Sequence, residues 1–374
     1  MKIAVFNAHI GLAGGGEQVA LNVTKAFEES GHDVDLITYR FEVEDVERVF
    51  KFLSPDYRPK NLMIYNTPLL IKLLGIGGRF VRLRRLLLVN DFLRKNRGKY
   101  NLIIDTSSNM PSKSDVVYIH YPVTLRTTSR SGFHWEVYDK VVQYMSKRLL
   151  GKPKLVLCNS SWTVRKFREV YGEGYNVGVL HPPVDVEYFS EVSNNDKREN
   201  IVVTISRFTP EKKLDEIVKV ANLLKDFTFV MSGSVAEYST PVLRSITSRI
   251  NELRVKNVRL LTNVRKSELR RLLSIVKYYL HPPFPEHFGI SVVEAMSAGL
   301  IPIVYRDGGA WYDVVSKVAD FLGYTDIMEV PNIIERIEGD RELYMRLRNK
   351  CIEYSKMFSY ERFKEGLLNV VSTL

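Results

Sequence analysis

Along the first forty residues the apolar positions are continuous, then helically spaced, then continuous again. Ile3–Phe6 is a short apolar run suited to a strand buried on both faces, and Val34–Thr38 is a second. Between them Val19, Val23, Ala26 and Phe27 repeat at helical spacing within Glu17–Ser30, and Gly31 ends the run. The glycine-rich turn Gly11–Gly16 joins the first strand to that helix. Strand, glycine turn, helix and strand together predict a βαβ unit of the nucleotide-binding kind.

The same alternation continues. Strands are predicted at Leu102–Asp105, Val116–His120 and Leu155–Asn159, with helical stretches between them. A stiff segment, His181-Pro182-Pro183-Val184-Asp185, is followed by the polar run Ser193–Asn200. A new α/β series then begins, with strands at Ile201–Ser206, Thr228–Ser232, Val258–Thr262, Tyr278–His281 and Ile301–Tyr305. Helices are predicted near 214–225, 241–253, 266–276, 289–298 and 340–356, and Ser359–Leu374 is a further amphipathic helix. The expected division is a domain at 1–185, a linker at 186–199, a second domain at 200–356 and a terminal helix at 357–374 that packs back towards the first domain. Two α/β halves of similar size predict a cleft, with ligands held at the carboxyl ends of the strands.

The residues with chemistry cluster at those ends. In Glu286-His287-Phe288-Gly289-Ile290-Ser291-Val292-Val293-Glu294, two carboxylates stand eight positions apart after a loop containing Pro282, Pro283 and Pro285. A helix is predicted to begin near Gly289. Its free N–H groups suit a diphosphate, and the flanking carboxylates suit sugar and ribose hydroxyls. Taken alone, the two glutamates also fit a solvated or capping pair. Arg207 and Lys212 follow a strand directly. Both can reach into a cleft, where each charge-assisted bond to phosphate contributes about 1.5–3 kcal/mol; as a bare pair they also fit ordinary surface cations.

Other strand ends carry weaker signals. Gly15 and Gly16 fit either a tight turn or backbone approaching a substrate, and no Gly-Lys-Ser/Thr follows them as in a Walker loop. His120, in His120-Tyr121-Pro122, fits either a structural histidine or one that orients a hydroxyl. Gly308 and Gly309 permit close backbone approach to a ligand or a plain turn. Asp33-Val34-Asp35 has the form of a metal-binding pair but lies at the start of a strand, opposite the ligand end. His281, Glu286 and His287 lie across a proline-rich loop, which is not a usual ligand spacing. No metal site and no cofactor are therefore expected.

In this order and context the motifs resemble the retaining GT-B glycosyltransferases of family 4, over essentially the whole length. A closer resemblance, to mannosyltransferases that extend lipid-linked oligosaccharides, rests on Gly14–Glu17, His120–Pro122, Glu286–Ile290 and Gly308-Gly309 with Asp313 and Val314. The resemblance implies two Rossmann-like domains facing each other across a cleft. It implies that Arg207 and Lys212 bind the donor diphosphate without a metal, that Glu286 contacts the donor sugar and that Glu294 holds the ribose hydroxyls. The amides of Phe288, Gly289 and Ile290 would lie along the donor and Val264 near the base. His120 would sit by the transferred sugar, with Gly15 and Gly16 bordering the phosphate and acceptor side. Ser206, where many members have Gly, and Asp313, where many have Glu, depart from the pattern. GDP-mannose is the expected donor, with UDP-glucose or UDP-GlcNAc as the alternative, and a lipid-linked or other glycan is the expected acceptor. Front-face displacement is the family's favoured route, in which the leaving phosphate helps deprotonate the acceptor.

Charge adds a second kind of partner. The 374 residues carry a net charge of +11, and nine Lys/Arg against one acid place +8 of it in residues 72–99. Apolar residues from Phe80 to Leu93 are interleaved there, which predicts a basic amphipathic helix on an anionic membrane surface. An ordinary helix with its apolar side in the core has the same pattern. The strand-like start at Lys2, two distant cysteines and no eighteen-residue apolar run lead to the expectation of a cytoplasmic protein held peripherally at the cytoplasmic face of a membrane. A nucleic-acid binder would also be basic, but stretch 72–99 has only Phe80 and Phe92 as stacking aromatics, and the Arg/Lys and Glu motifs would go unexplained. Nucleic acid is therefore not an expected partner. An epimerase would convert the donor with no acceptor, and a phosphorylase would be much longer.

Overall fold

Seven strands form the first sheet: β1 (Lys2–Phe6), β2 (Asp33–Tyr39), β3 (Asn61–Tyr65), β4 (Leu102–Asp105), β5 (Val116–Ile119), β6 (Leu155–Cys158) and β7 (Val177–Val179). They are parallel, in the order β3-β2-β1-β4-β5-β6-β7. The computed structural model describes residues 1–12, 14–39, 49–50, 56–74, 80–125, 132–235 and 239–374. Alternate side chains of β1 enter separate cores. Ile3 and Val5 pack with the helix Gly15–Glu29, and Ala4 and Phe6 pack with the helices Val81–Asn96 and Phe133–Leu149. Both faces are thus covered, which is why these strands read as unbroken apolar runs.

A second sheet holds β8 (Glu199–Ile205), β9 (Thr228–Gly233), β10 (Val258–Thr262), β11 (Val276–Leu280), β12 (Ile301–Tyr305) and β13 (Gly323–Tyr324), again parallel, in the order β10-β9-β8-β11-β12-β13. The chain divides into two units: one of Met1–Arg126, Arg130–Pro183 and Tyr360–Leu374, the other built on Val184–Ser359. In each sheet the order of connection reverses once, between β1 and β4 in the first and between β8 and β11 in the second. Ligands of open α/β sheets bind at such reversals, beyond the carboxyl ends of the strands.

Two expectations change, those for segment 186–199 and for stretch 72–99. Segment 186–199 is not a linker: Val186–Ser190 is a short helix whose Val186 and Phe189 are buried in the second core, and β8 already starts at Glu199. The terminal helix Tyr360–Ser372 belongs to the first unit, where Phe363, Leu367 and Val371 enter the core. There Lys364 Nζ and the Tyr360 hydroxyl lie 2.7 and 2.8 Å from Glu29.

Stretch 72–99 is also not one helix. Leu69–Leu73 and Val81–Asn96 are separate helices, and Arg79 lies outside the described residues. In Val81–Asn96 the apolar residues Leu86, Leu88, Val89, Phe92 and Leu93 are buried in the first unit's core. The apolar side of this basic helix faces the protein. No helix among the described residues is long and apolar enough to cross a membrane.

Candidate active site

The loops at the β8/β11 reversal bring the sequence-predicted cations and carboxylate together. After β8, Gly233 at the end of β9 packs so closely on Ser206 that a Cβ there would overlap the Ser206 carbonyl oxygen. The chain then turns through Arg207 into a short 3-10 turn, Pro210–Lys212. Lys212 is buried, and its ammonium lies 2.6 Å from Glu286 Oε2 and 4.2 Å from the centre of the Phe284 ring. Arg207 is exposed, and its guanidinium makes no hydrogen bond or ion pair among the described residues. One cation is therefore fixed against a carboxylate, and the other is open to a ligand.

Glu286 is held from three sides. Its carboxylate receives Lys212, and His281 Nε2 lies 3.4 Å away. His281 is fixed by its own contacts: Nδ1 is 2.9 Å from the Pro282 carbonyl, and the Tyr324 hydroxyl donates to the His281 carbonyl at 2.6 Å. The Glu286 backbone pairs with Gly308 in an isolated parallel bridge. Gly308 has φ +96°, and a Cβ there would overlap the Glu286 carbonyl oxygen. The close approach this glycine permits is to the Glu286 main chain.

Charge in the cluster follows from these contacts. Burial pushes the Glu286 carboxyl up, but Lys212 beside it and His281 more than offset this and hold it well below the usual range. Burial lowers His281, with Lys212 adding to the effect and Glu286 opposing it. Burial likewise brings His287 down to about 4, helped by Lys212 and Arg207 against the pull of Glu286. At neutral pH the cluster holds an ionised Glu286 and two neutral imidazoles.

Gly289, with φ +94°, leads into the helix Ile290–Ser297. A Cβ there would press on Ala310 and Val292 at 3.0 Å. Phe288 is buried against the Phe358 ring, 5.3 Å between centres. Within the helix, Ser291 Oγ is 2.9 Å from the Tyr279 hydroxyl. Burial raises the Glu294 carboxyl to about 7; Lys266 lowers it and Asp185 raises it. Lys266 is itself ion-paired to Asp185. Val264 is half-buried just after β10, next to the left-handed Asn263.

The first unit has its own cluster at the carboxyl ends of β4 and β5. Asn109, in left-handed geometry, accepts from the His120 and Tyr121 amides at 2.7 and 3.2 Å. His120 Nε2 lies 3.0 Å from the Thr106 carbonyl, and Asn159 Nδ2 donates to the His120 carbonyl at 3.1 Å. A Cβ on Gly16 would stand 3.3 Å from His120 Nε2, so the glycine turn and the histidine, read separately in the sequence, are neighbours. Gly15 opens the helix, and the Gly14 amide donates to Glu17 Oε2 at 2.9 Å. Asp33 and Asp35 bind Asn61 and the Tyr100 hydroxyl at the opposite end of the sheet. The anchors Asn109 and Gly233 carried no signal of their own, because each acts on a residue in another loop, His120 and Ser206, whereas His281 was weighed only as a metal ligand and not as the partner of Glu286.

The family model described as Glycosyltransferase Family 4 matches residues 13–188, and that described as Glycosyl transferases group 1 matches residues 185–357. A curated relative from Dictyostelium discoideum, GDP-Man:Man(3)GlcNAc(2)-PP-Dol alpha-1,2-mannosyltransferase, is 27% identical over 64% of this chain and 50% of its own length. The enzyme of the same name from Homo sapiens is 24% identical over 100% of this chain and 87% of its own length, and that from Mus musculus is 30% identical over 57% and 47%. The match thus spans about half the length of the slime-mould and mouse enzymes. Among solved structures, Anabaena Alr3699/HepE in complex with UDP and glucose superposes with a TM-score of 0.70 at 16% identity, over 100% of both chains. Sucrose-phosphate synthase from Thermosynechococcus elongatus superposes with a TM-score of 0.74 at 15% identity, over 100% of this chain and 98% of that one. These likenesses show that the fold is that of the GT-B enzymes, with two parallel-sheet Rossmann-like units.

Proposed function

This chain belongs to the group 1 and family 4 glycosyltransferases, and on that premise we propose that it transfers mannose, with retention, from GDP-mannose to a lipid-linked oligosaccharide. The names of its curated relatives support the donor and the acceptor. The observation that carries the chemistry is the Lys212–Glu286 pair with the open Arg207 beside it.

In this proposal the second unit holds the donor. Arg207 takes the diphosphate oxygens, and Lys212 shares its charge between Glu286 and the leaving phosphate. Positive side chains meet the charge that builds up on the nucleotide, so no metal is needed for that step. Glu286, kept ionised, accepts from hydroxyls of the donor sugar. Glu294 holds the ribose, the segment Phe288–Ile290 lies along the donor and Val264 lies near the base. In the first unit, His120, with Gly15 and Gly16, serves the transferred sugar and the acceptor. The enzyme works at the cytoplasmic face of a membrane, where the basic stretch 72–99 adds attraction to anionic lipid.

The test is transfer from a panel of GDP- and UDP-sugars to a lipid-linked oligosaccharide acceptor, with and without EDTA. Mannosyl transfer from GDP-mannose, unchanged by EDTA, is the expected result. Transfer from a UDP-sugar alone would replace the donor, and loss of activity in EDTA would overturn the metal-free mechanism.

A further inference from the structure

The helix Phe133–Leu149 is apolar on two sides. Its inner side places Tyr138 and Val142 in the core of the first unit. On its outer side, Phe133, Val137, Val141 and Tyr144 follow one another at spacings of four, four and three, so they form one stripe. They are 80%, 44%, 40% and 55% exposed. The core accounts for the inner side only. A continuous exposed apolar stripe on a folded protein marks a surface that meets something.

The charges beside the stripe identify the partner. Lys140, Lys147 and Arg148 are exposed on the same helix, against one exposed acid, Glu136. The other acid, Asp139, is buried and ion-paired to Arg82. At one end Arg148 stacks over the Tyr144 ring at 5.3 Å and donates to its hydroxyl at 2.9 Å, which places a cation beside an aromatic ring. The short helix Leu69–Leu73 repeats the pattern: Leu69, Leu70 and Leu73 are 72%, 79% and 56% exposed, and Lys72 is exposed beside them. Both helices pack against Val81–Asn96.

We propose that the outer side of Phe133–Leu149, with the leucines of Leu69–Leu73, is the surface by which this chain lies on a bilayer containing anionic lipid. Phe133, Val137 and Val141 enter the boundary between headgroups and acyl chains, and Lys140, Lys147 and Arg148 meet the phosphates. The basic helix Val81–Asn96 then contributes charge but no apolar contact. This rests on the membrane location given above and names the residues that achieve it.

The test uses the full chain with vesicles of phosphatidylcholine, with or without phosphatidylglycerol. The triple variant Phe133→Ser, Val137→Ser, Val141→Ser should lose roughly tenfold or more of its partition onto the mixed vesicles. Lys147→Gln with Arg148→Gln should weaken the preference for vesicles containing phosphatidylglycerol, leaving the part due to Lys140 and Val81–Asn96. These positions are on the surface, so both variants should keep the wild-type thermal shift with GDP, which shows that the fold and the donor side are intact. Unchanged partition in the triple variant would overturn the proposal. So would wild type that ignores both vesicles, or a triple variant whose only change is the dispersal of a dimer, which would make a second copy the occupant. Loss of vesicle binding together with absence of mannosyl transfer in wild type would retain the surface and reject the function.

Discussion

The Lys212 ammonium and the Glu286 carboxylate stand 2.6 Å apart although they are 74 residues apart in sequence. Each is the other's nearest opposite charge in a site that also contains two neutral histidines. Removing Lys212 therefore has two effects. On the proposed donor site the diphosphate loses a cation, and Glu286 loses the partner that keeps it ionised.

Lys212→Ala and Arg207→Ala should each lower transfer at least roughly tenfold. They should differ in stability. Arg207 leaves no ion-pair partner behind among the described residues, so its variant should melt with wild type, whereas Lys212→Ala should melt lower. Transfer rates and melting curves of the two variants, measured in parallel, check both points. Near-normal rates in both would remove these residues from the site.

Glu294 gives a pH signature. Its carboxyl titrates at about 7 in the folded chain, above its ordinary value of 4.5. Between those pH values the folded state keeps a proton that the unfolded state has released, so stability falls as pH rises through the window. The whole effect amounts to at most about 3 kcal/mol. Glu294→Gln removes it. Relative to wild type, the variant should gain stability between about pH 4.5 and about pH 7.5, read from urea unfolding at each pH. A constant difference across that range would contradict the assignment.

Gly308→Ala tests how Glu286 is held. The left-handed backbone at Gly308 and the overlap of any Cβ with the Glu286 carbonyl oxygen predict a displaced loop and a loss of roughly 1–3 kcal/mol. Donor binding should weaken more than this stability loss alone explains. Calorimetric titration with GDP-mannose, run well below the melting temperature, separates the two.

Gly16→Val tests the first unit. Its side chain would crowd the His120 imidazole, 3.3 Å from the position of a Cβ. Transfer should drop while GDP binding to the second unit stays at the wild-type level. Steady-state kinetics beside a GDP titration reads both.

The sequence made much of this visible, for identifiable reasons. Strands such as β1 and β8 could be read because a parallel sheet covered on both faces needs continuous apolar residues. The edge strand β3 escaped because Asn61–Tyr65 has no fully buried residue, and β13 because two residues have no period. Arg207, Lys212 and Glu286 could be picked out by charge and position at strand ends. The hold of Gly308 on Glu286 could not, since the pairing of β11 with β12 brings the two loops together. The basic stretch misled for a related reason. Composition shows that Val81–Asn96 has an apolar side but not that the side is already filled, and the outer stripe of Phe133–Leu149 stands out only once Tyr138 and Val142 are seen to fill the inner side.

The return of Tyr360–Ser372 to the first unit bears on the order in which the protein is made. The ribosome delivers residues 1–183 first, yet the groove that takes Phe363, Leu367 and Val371 stays open until nearly two hundred more residues have emerged. Val184–Ser359 is contiguous and can close its own core as soon as it is released. During synthesis the later half is thus able to finish first, and the earlier half waits with an apolar groove exposed to chaperones and proteases until the last helix seals it.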